Sequence, residues 1–129
     1  MENVTIFFKT PSNNIDLVNL SRIKTNYEYK NKMLNGVLGN QKEKHISFIL
    51  PFKSIHTNKI YIDFENYIEP RDNNKYFTLS ILDYFILDNV NEVIYKEQAI
   101  INKLQVYTIV NIQVLNTNPN NNYLRIEGI

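Results

Sequence analysis

The chain predicts a mainly β fold, a small barrel or sandwich with one or two short helical turns and a long loop after the first strand. Three observations carry that expectation. Short runs rich in Ile, Val, Tyr and Phe recur along the whole chain, separated by Asn, Pro and Ser turn clusters. The clearest of them, His45 to Phe52 (HISFILPF), alternates His45, Ser47 and Ile49 on one face with Ile46, Phe48 and Leu50 on the other. Finally, a single Ala (Ala99) in 129 residues leaves little of the composition of a helical bundle.

Taken in order, Val4–Lys9 (VTIFFK) reads as a first strand, closed by Pro11 and the Ser12-Asn13-Asn14 cluster. Ile15–Lys24 leaves a short helix, a long connection and an extra hairpin all open. Ile15, Val18 and Ile23 approximate one helical face, but Asn19 and Ser21 are poor helix-interior residues. A connection as long as Thr10–Asn26 is unusual in a compact domain and points to function. Tyr27 and Tyr29 alternate with Glu28 and Lys30, which predicts a second strand running on towards Leu34. Gly36 and Gly39 then mark a bulge or a close backbone approach.

Pro51, with no N–H to donate, ends the strand at 45–50. Lys59–Asp63 is its expected partner, and Phe64–Ile68 forms one helical turn before Pro70. Tyr76–Leu82 and Tyr84–Leu87 read as short strands around Asp83, and Lys96–Lys103 as the best helical piece. Leu104–Leu115 and Tyr123–Glu127, joined by an Asn/Pro turn, form a closing hairpin.

Length predicts one domain, residues 1–129, that buries roughly two-thirds of its unfolded surface. The net charge of +1 supplies no long-range attraction for nucleic acid or acidic membranes. The absence of Cys removes disulfides, zinc–thiolate sites and cysteine nucleophiles. No window approaches the ~18 apolar residues of a membrane span, and MENVTIFF lacks the basic start of a secretory signal. Synthesis and assembly in cytoplasm are expected.

No residue pattern supports an enzyme. His45 and His56, with Asp63 or Glu65 as a third ligand, match no metal spacing. Glu65 and Glu69, four apart on one helical face, are read as solvated. The serines occupy no nucleophile elbow, and three glycines form no phosphate cradle. Catalytic, cofactor and metal sites are therefore expected to be none. Tyr and Phe interleaved with Lys, as in Tyr27–Lys32 and Lys75–Phe77, resemble an OB-like stacking platform for single-stranded nucleic acid, the alternative from another class. Aromatics at strand spacing are more often core or interface.

The ordered series VTIFFK, MLNGVLG, HISFILPF, YFTLSILDYFILDN and YTIVNIQVLNTNPNNNYLRIEG resembles the minor capsid proteins of tailed phages over nearly the whole chain. Phe77, Thr78, Leu79 and Asp83 fall in the places of that family's Trp-Thr-Leu and Gly-Asp segment, Pro119 at its turn proline and Gly128 at its closing glycine. The chain departs from the family in having no Trp. The resemblance implies a head-closure or stopper protein of the head–tail connector, or another connector or tail-completion component. It implies a homo-oligomeric ring in the virion neck, assembled in the host bacterial cytoplasm, with the portal adaptor and tail-terminator or tail proteins as partners. The packaged DNA end would be near only by proximity, and no membrane is involved. Ile15, Leu17, Val18, Leu20, Arg22 and Lys24 are the expected channel-facing or partner-facing loop. Tyr27, Tyr29, Tyr61 and Tyr67 are the expected interface aromatics.

Overall fold

The computed structural model describes residues 2–10, 12–34, 37–52, 54–56, 59–61, 76–118 and 121–129. It is mainly β, as expected. Among the described residues, ten strands run in chain order: β1 (Glu2–Lys9), β2 (Ile15–Ile23), β3 (Thr25–Leu34), β4 (Val37–Pro51), β5 (Ser54–His56), β6 (Lys59–Tyr61), β7 (Tyr76–Thr78), β8 (Tyr84–Ile86), β9 (Val106–Asn118) and β10 (Asn121–Gly128). The helix α1 (Lys96–Ile101) lies between β8 and β9. Seven strands form one antiparallel sheet in the order β2-β1-β8-β9-β10-β4-β3, and β5-β6-β7 form a smaller one.

The large sheet folds over on itself at β9. Residues Val106–Thr108 of β9 pair with β8, whereas Ile109–Asn118 pair with β10. A strand that changes partners part-way turns the corner of a sandwich. Val4, Ile6, Phe8, Val18, Leu20 and Phe85 from one half meet Ile46, Phe48, Leu50, Leu124 and Ile126 from the other in one buried cluster. Phe85 bridges the halves, edge-on to Phe48 with ring centroids 5.1 Å apart and stacked on Tyr107 at 5.4 Å. On the opposite side only Lys24 separates β2 from β3. There Glu2 accepts hydrogen bonds from the Thr25 hydroxyl at 2.9 Å and the Tyr27 hydroxyl at 3.3 Å. The sheet therefore curls towards closure, although β2 and β3 remain its two edges.

Gly128 sits at the fold-over. A Cβ there would lie 2.6 Å from Phe85 Cε1 and 2.9 Å from Tyr107 Cβ, closer than real atoms approach. The register of β10 on β9 shifts between Glu127 and Gly128. The ladder then resumes, with Ile129 exchanging hydrogen bonds with Thr108 at 2.9 and 3.0 Å.

The segment Ile15–Lys24 corrects the sequence expectation of a long loop. Ile15–Ile23 is an edge strand paired with β1, continuously over Ile15–Leu20 and again at Ile23 past a register shift, so the extra hairpin prevails. Leu17, Val18 and Leu20 are buried, Ile15 is half-buried, and only Arg22 and Lys24 stand exposed. The tight Thr10–Asn14 turn makes the hairpin local: the Thr10 N–H donates to the Asn14 carbonyl at 2.7 Å. The apolar residues that seemed too many for a loop are covered on both faces. Val18 and Leu20 enter the main core, while Leu17 joins Phe7, Tyr84 and Ile86 beneath Val90, Val93 and Ile94. This two-sided burial is why β1 is buried continuously from Val4 to Phe8. Replacing the segment by a flexible link would strip the core, not a decoration.

Other expectations shift less. Lys59–Tyr61 pairs with β5 and β7, not with the strand at 45–50, which takes β10 and β3 instead. The irregularity near Gly39 falls where the glycines suggest. Register slips between Asn31↔Lys42 and Met33↔Leu38, leaving Gly39–Gln41 opposite one residue. The helical turn expected at Phe64–Ile68 lies outside the described residues. Among the described residues, no helix is long and apolar enough to cross a membrane.

Candidate functional site

The long hairpin β3–β4 positions the residues of interest. Its partner β10 pairs only with Ile46–Pro51, so from His45 outward β4 has β3 alone beside it. A two-stranded ribbon has two solvent-accessible faces, and the period-2 alternation makes them chemically different. Cross-strand pairs Glu28↔His45 and Lys30↔Glu43 lie on one face, and Tyr27↔Ile46, Tyr29↔Lys44 and Asn31↔Lys42 on the other.

The first face holds an ion-paired cluster around Glu127, which β10 supplies from beside Ser47. Glu127 is only 6% exposed. One carboxylate oxygen accepts from His45 Nδ1 at 2.7 Å and Lys30 Nζ at 3.2 Å, and the other from Arg125 at 3.1 Å. The outer nitrogen of His45, Nε2, lies 3.4 Å from Glu43, and Lys30 reaches Glu28 at 4.0 Å. Burial pushes the Glu127 carboxyl up, but the His45, Lys30 and Arg125 hydrogen bonds outweigh it and hold the pKa at about 2, against an ordinary 4.5. The cluster clamps three strands together, because its members come from β3, β4 and β10. Sequence reading missed it. The only available signal was the i, i+2 placement of Arg125 and Glu127, and nothing local says that His45 and Lys30 arrive beside them.

This cluster predicts an acid-sensitive term in stability. The folded pKa lies below the unfolded one, so the stabilisation is complete above about pH 4.5 and is lost as pH falls towards 2. Its size at neutral pH is about 3 kcal/mol at most. Chemical denaturation of wild type and Glu127→Gln from pH 7 down to pH 3 should show a gap that narrows with acidification. A gap independent of pH would mean that the carboxylate contributes no charge-linked stability.

The second face carries Tyr27, 44% exposed, and Tyr29, 64% exposed. Lys44 Nζ sits 4.2 Å from the centroid of the Tyr27 ring, a cation–π contact. Of the other expected interface aromatics, Tyr61 is half-buried on β6 and so lies apart from the ribbon, and Tyr67 is outside the described residues. Exposed apolar side chains also occur at Leu82 in the turn before β8, and at Tyr95, Ile100 and Ile101 around α1.

Two further polar groups are structural. The Thr5 hydroxyl lies 2.6 Å from Asn19 Oδ1 and 2.5 Å from the Asp88 carbonyl oxygen, and Asn19 donates to the Val90 carbonyl at 3.0 Å. This polar pair ties the 88–90 segment over the outer face of β1 and β2. Asp83 accepts from the Ser80 N–H at 2.8 Å, closing the turn that carries Leu82 at φ 79°. Burial raises its pKa. His56, Asp63, Glu65 and Glu69, weighed from sequence as metal or acid–base groups, have no described side chains. Among the described residues, no group of three or more His, Cys, Asp or Glu is arranged to hold a metal ion.

No protein-family model, no curated protein and no solved structure matches this chain.

Proposed function

We propose that this chain is a structural subunit of a tailed-phage virion, one copy of a homo-oligomeric ring in the head–tail connector. The ring closes the DNA-filled head and offers the tail its attachment surface. The observation that carries this reading is the ordered series of family-like segments within one mainly β fold. HISFILPF supplies the second half of β4 and its exit, YFTLSILDYFILDN supplies β7, the Asp83 turn and β8, and the C-terminal piece supplies β9 and β10. The exposed aromatic and aliphatic side chains at Leu82 and around α1 suit protein–protein contact.

The mechanism in this reading is steric and involves no catalytic step. Elements from successive subunits narrow an axial channel, while the portal adaptor and tail-terminator proteins pack above and below. Because 15–23 is a core strand, the channel-facing element is sought elsewhere in the chain, at 53–59 or 69–75. Heads assembled without the protein should fill with DNA and then lose it, or fail to take on tails. Electron microscopy of intact virions should place the chain in the neck as a ring of about six or twelve copies. Absence of the chain from purified particles, or its location at the far end of the tail, would refute the assignment.

A further inference from the structure

We propose that the Tyr27–Tyr29–Lys42–Lys44 face of the β3–β4 ribbon is a binding surface for single-stranded nucleic acid. The backbone register sets two rows side by side: Tyr27, Tyr29 and Asn31 along β3, and Lys44 and Lys42 along β4, beyond the buried Ile46. Within each row, neighbours are about 7 Å apart, twice the rise of a strand residue. An aromatic row beside a cationic row matches the two features of an unpaired strand, a line of bases and a line of phosphates. An acidic protein surface would need the lysines but not two adjacent, outward rings.

The contrast between the faces supports the choice of ligand. On the Glu127 face, Lys30 and Arg125 are already bound by a buried carboxylate. On the tyrosine face, no described carboxylate lies within ion-pair distance of Lys42 or Lys44, and Lys42, Tyr27 and Tyr29 are exposed. The Lys44 ammonium above Tyr27 holds positive charge where a phosphate flanking a stacked base would sit. Tyr29, the more exposed ring, is the stacking platform, and Lys42 extends the cationic row past it. Among the described residues, the carboxylate that meets this face is Glu2, held by Thr25 and Tyr27 at its inner margin and not bonded to Tyr29 or Lys42. The overall charge of +1 means that this affinity is local rather than steered from afar. The surface stands independently of the neck assignment.

The test is fluorescence anisotropy of a labelled oligo-dT of about 16 nucleotides, titrated with the full chain over a range of salt. Binding in the micromolar range is expected. Tyr29→Ala should weaken it about 5- to 100-fold, and Tyr29→Phe should retain it. The double variant Lys42→Ala/Lys44→Ala should flatten the salt dependence by about 1.4 in the log–log slope. Lys96→Ala, on α1, serves as the control and should leave the slope nearly unchanged. A duplex of the same length should bind more weakly, because its bases are not free to stack. Thermal melts check that each variant is folded. No binding below millimolar protein would overturn the proposal. So would binding indifferent to Tyr29→Ala, which reports charge adsorption alone, or self-association of the free protein that Tyr29→Ala abolishes, which makes the face a contact between copies.

Discussion

A chain ending at Asn122 should show no cooperative thermal transition. Strand β10 is flanked on both sides, by β9 and by β4, so its removal breaks two ladders and detaches the β3–β4 ribbon from the rest of the sheet. It also withdraws Leu124 and Ile126, both essentially inaccessible to solvent. Truncating one such aliphatic to Ala costs about 2–5 kcal/mol, and a small domain has only about 5–15 kcal/mol in total. The Glu127 carboxylate leaves with them, stranding Lys30 and His45 beside each other. Circular dichroism and calorimetry of the shortened chain measure this directly. A cooperative melt within a few degrees of full length would mean that residues 123–129 are a free tail.

Phe85→Ala should be the most damaging single substitution, costing about 3–5 kcal/mol. Phe85 is fully buried, and its ring sits centrally in the cluster where the two halves of the folded-over sheet meet, against Phe48 and Tyr107. The same ring fills the space that Gly128 leaves by having no side chain. The two positions should therefore be coupled. Gly128→Ala should destabilise the wild type, because a packed aromatic cannot yield the required distance. In a Phe85→Leu background its cost should fall without vanishing, since Tyr107 Cβ remains 2.9 Å away. Denaturant melts of the four proteins close the cycle. Strict additivity would show that Gly128 is needed for some reason other than the approach of Phe85.

Much of the fold was legible in the chain because strand signals are local. HISFILPF announced its inner face by simple alternation, and Ile46, Phe48 and Leu50 are indeed fully buried while Ile49 is 46% exposed. The closing hairpin, the short strands around Asp83 and the helix at 96–101 were equally readable. The Ile15–Lys24 segment was not. Its apolar residues follow no clean alternation, because β2 is covered on both faces and its buried run, Leu17 to Leu20, includes Asn19. A polar residue in such a run speaks against a helix interior and still leaves loop and strand open when read alone. Only the Thr5 hydroxyl and the Val90 carbonyl, distant in sequence, make it affordable.

The candidate site divides in the same way. The exposed tyrosines on β3 were readable from Tyr27-Glu28-Tyr29-Lys30, since alternation alone places both rings on one face. That Lys42 and Lys44 share this face follows from the β3–β4 register, and the register depends on a bulge that no local pattern dates to one residue. The Glu127 cluster is more remote still, gathering residues from three strands up to 97 positions apart.

The sequence by itself determined the class of fold, the inward faces of the strong strands and the turns between them, because these depend on neighbours within a few residues. Tertiary structure alone decided which strands distant in sequence pair, that 15–23 is core, and which charges meet around Glu127. Those outcomes are set by long-range registry and by the polar partners a distant segment brings, and neither is written in the periodicity of any one stretch.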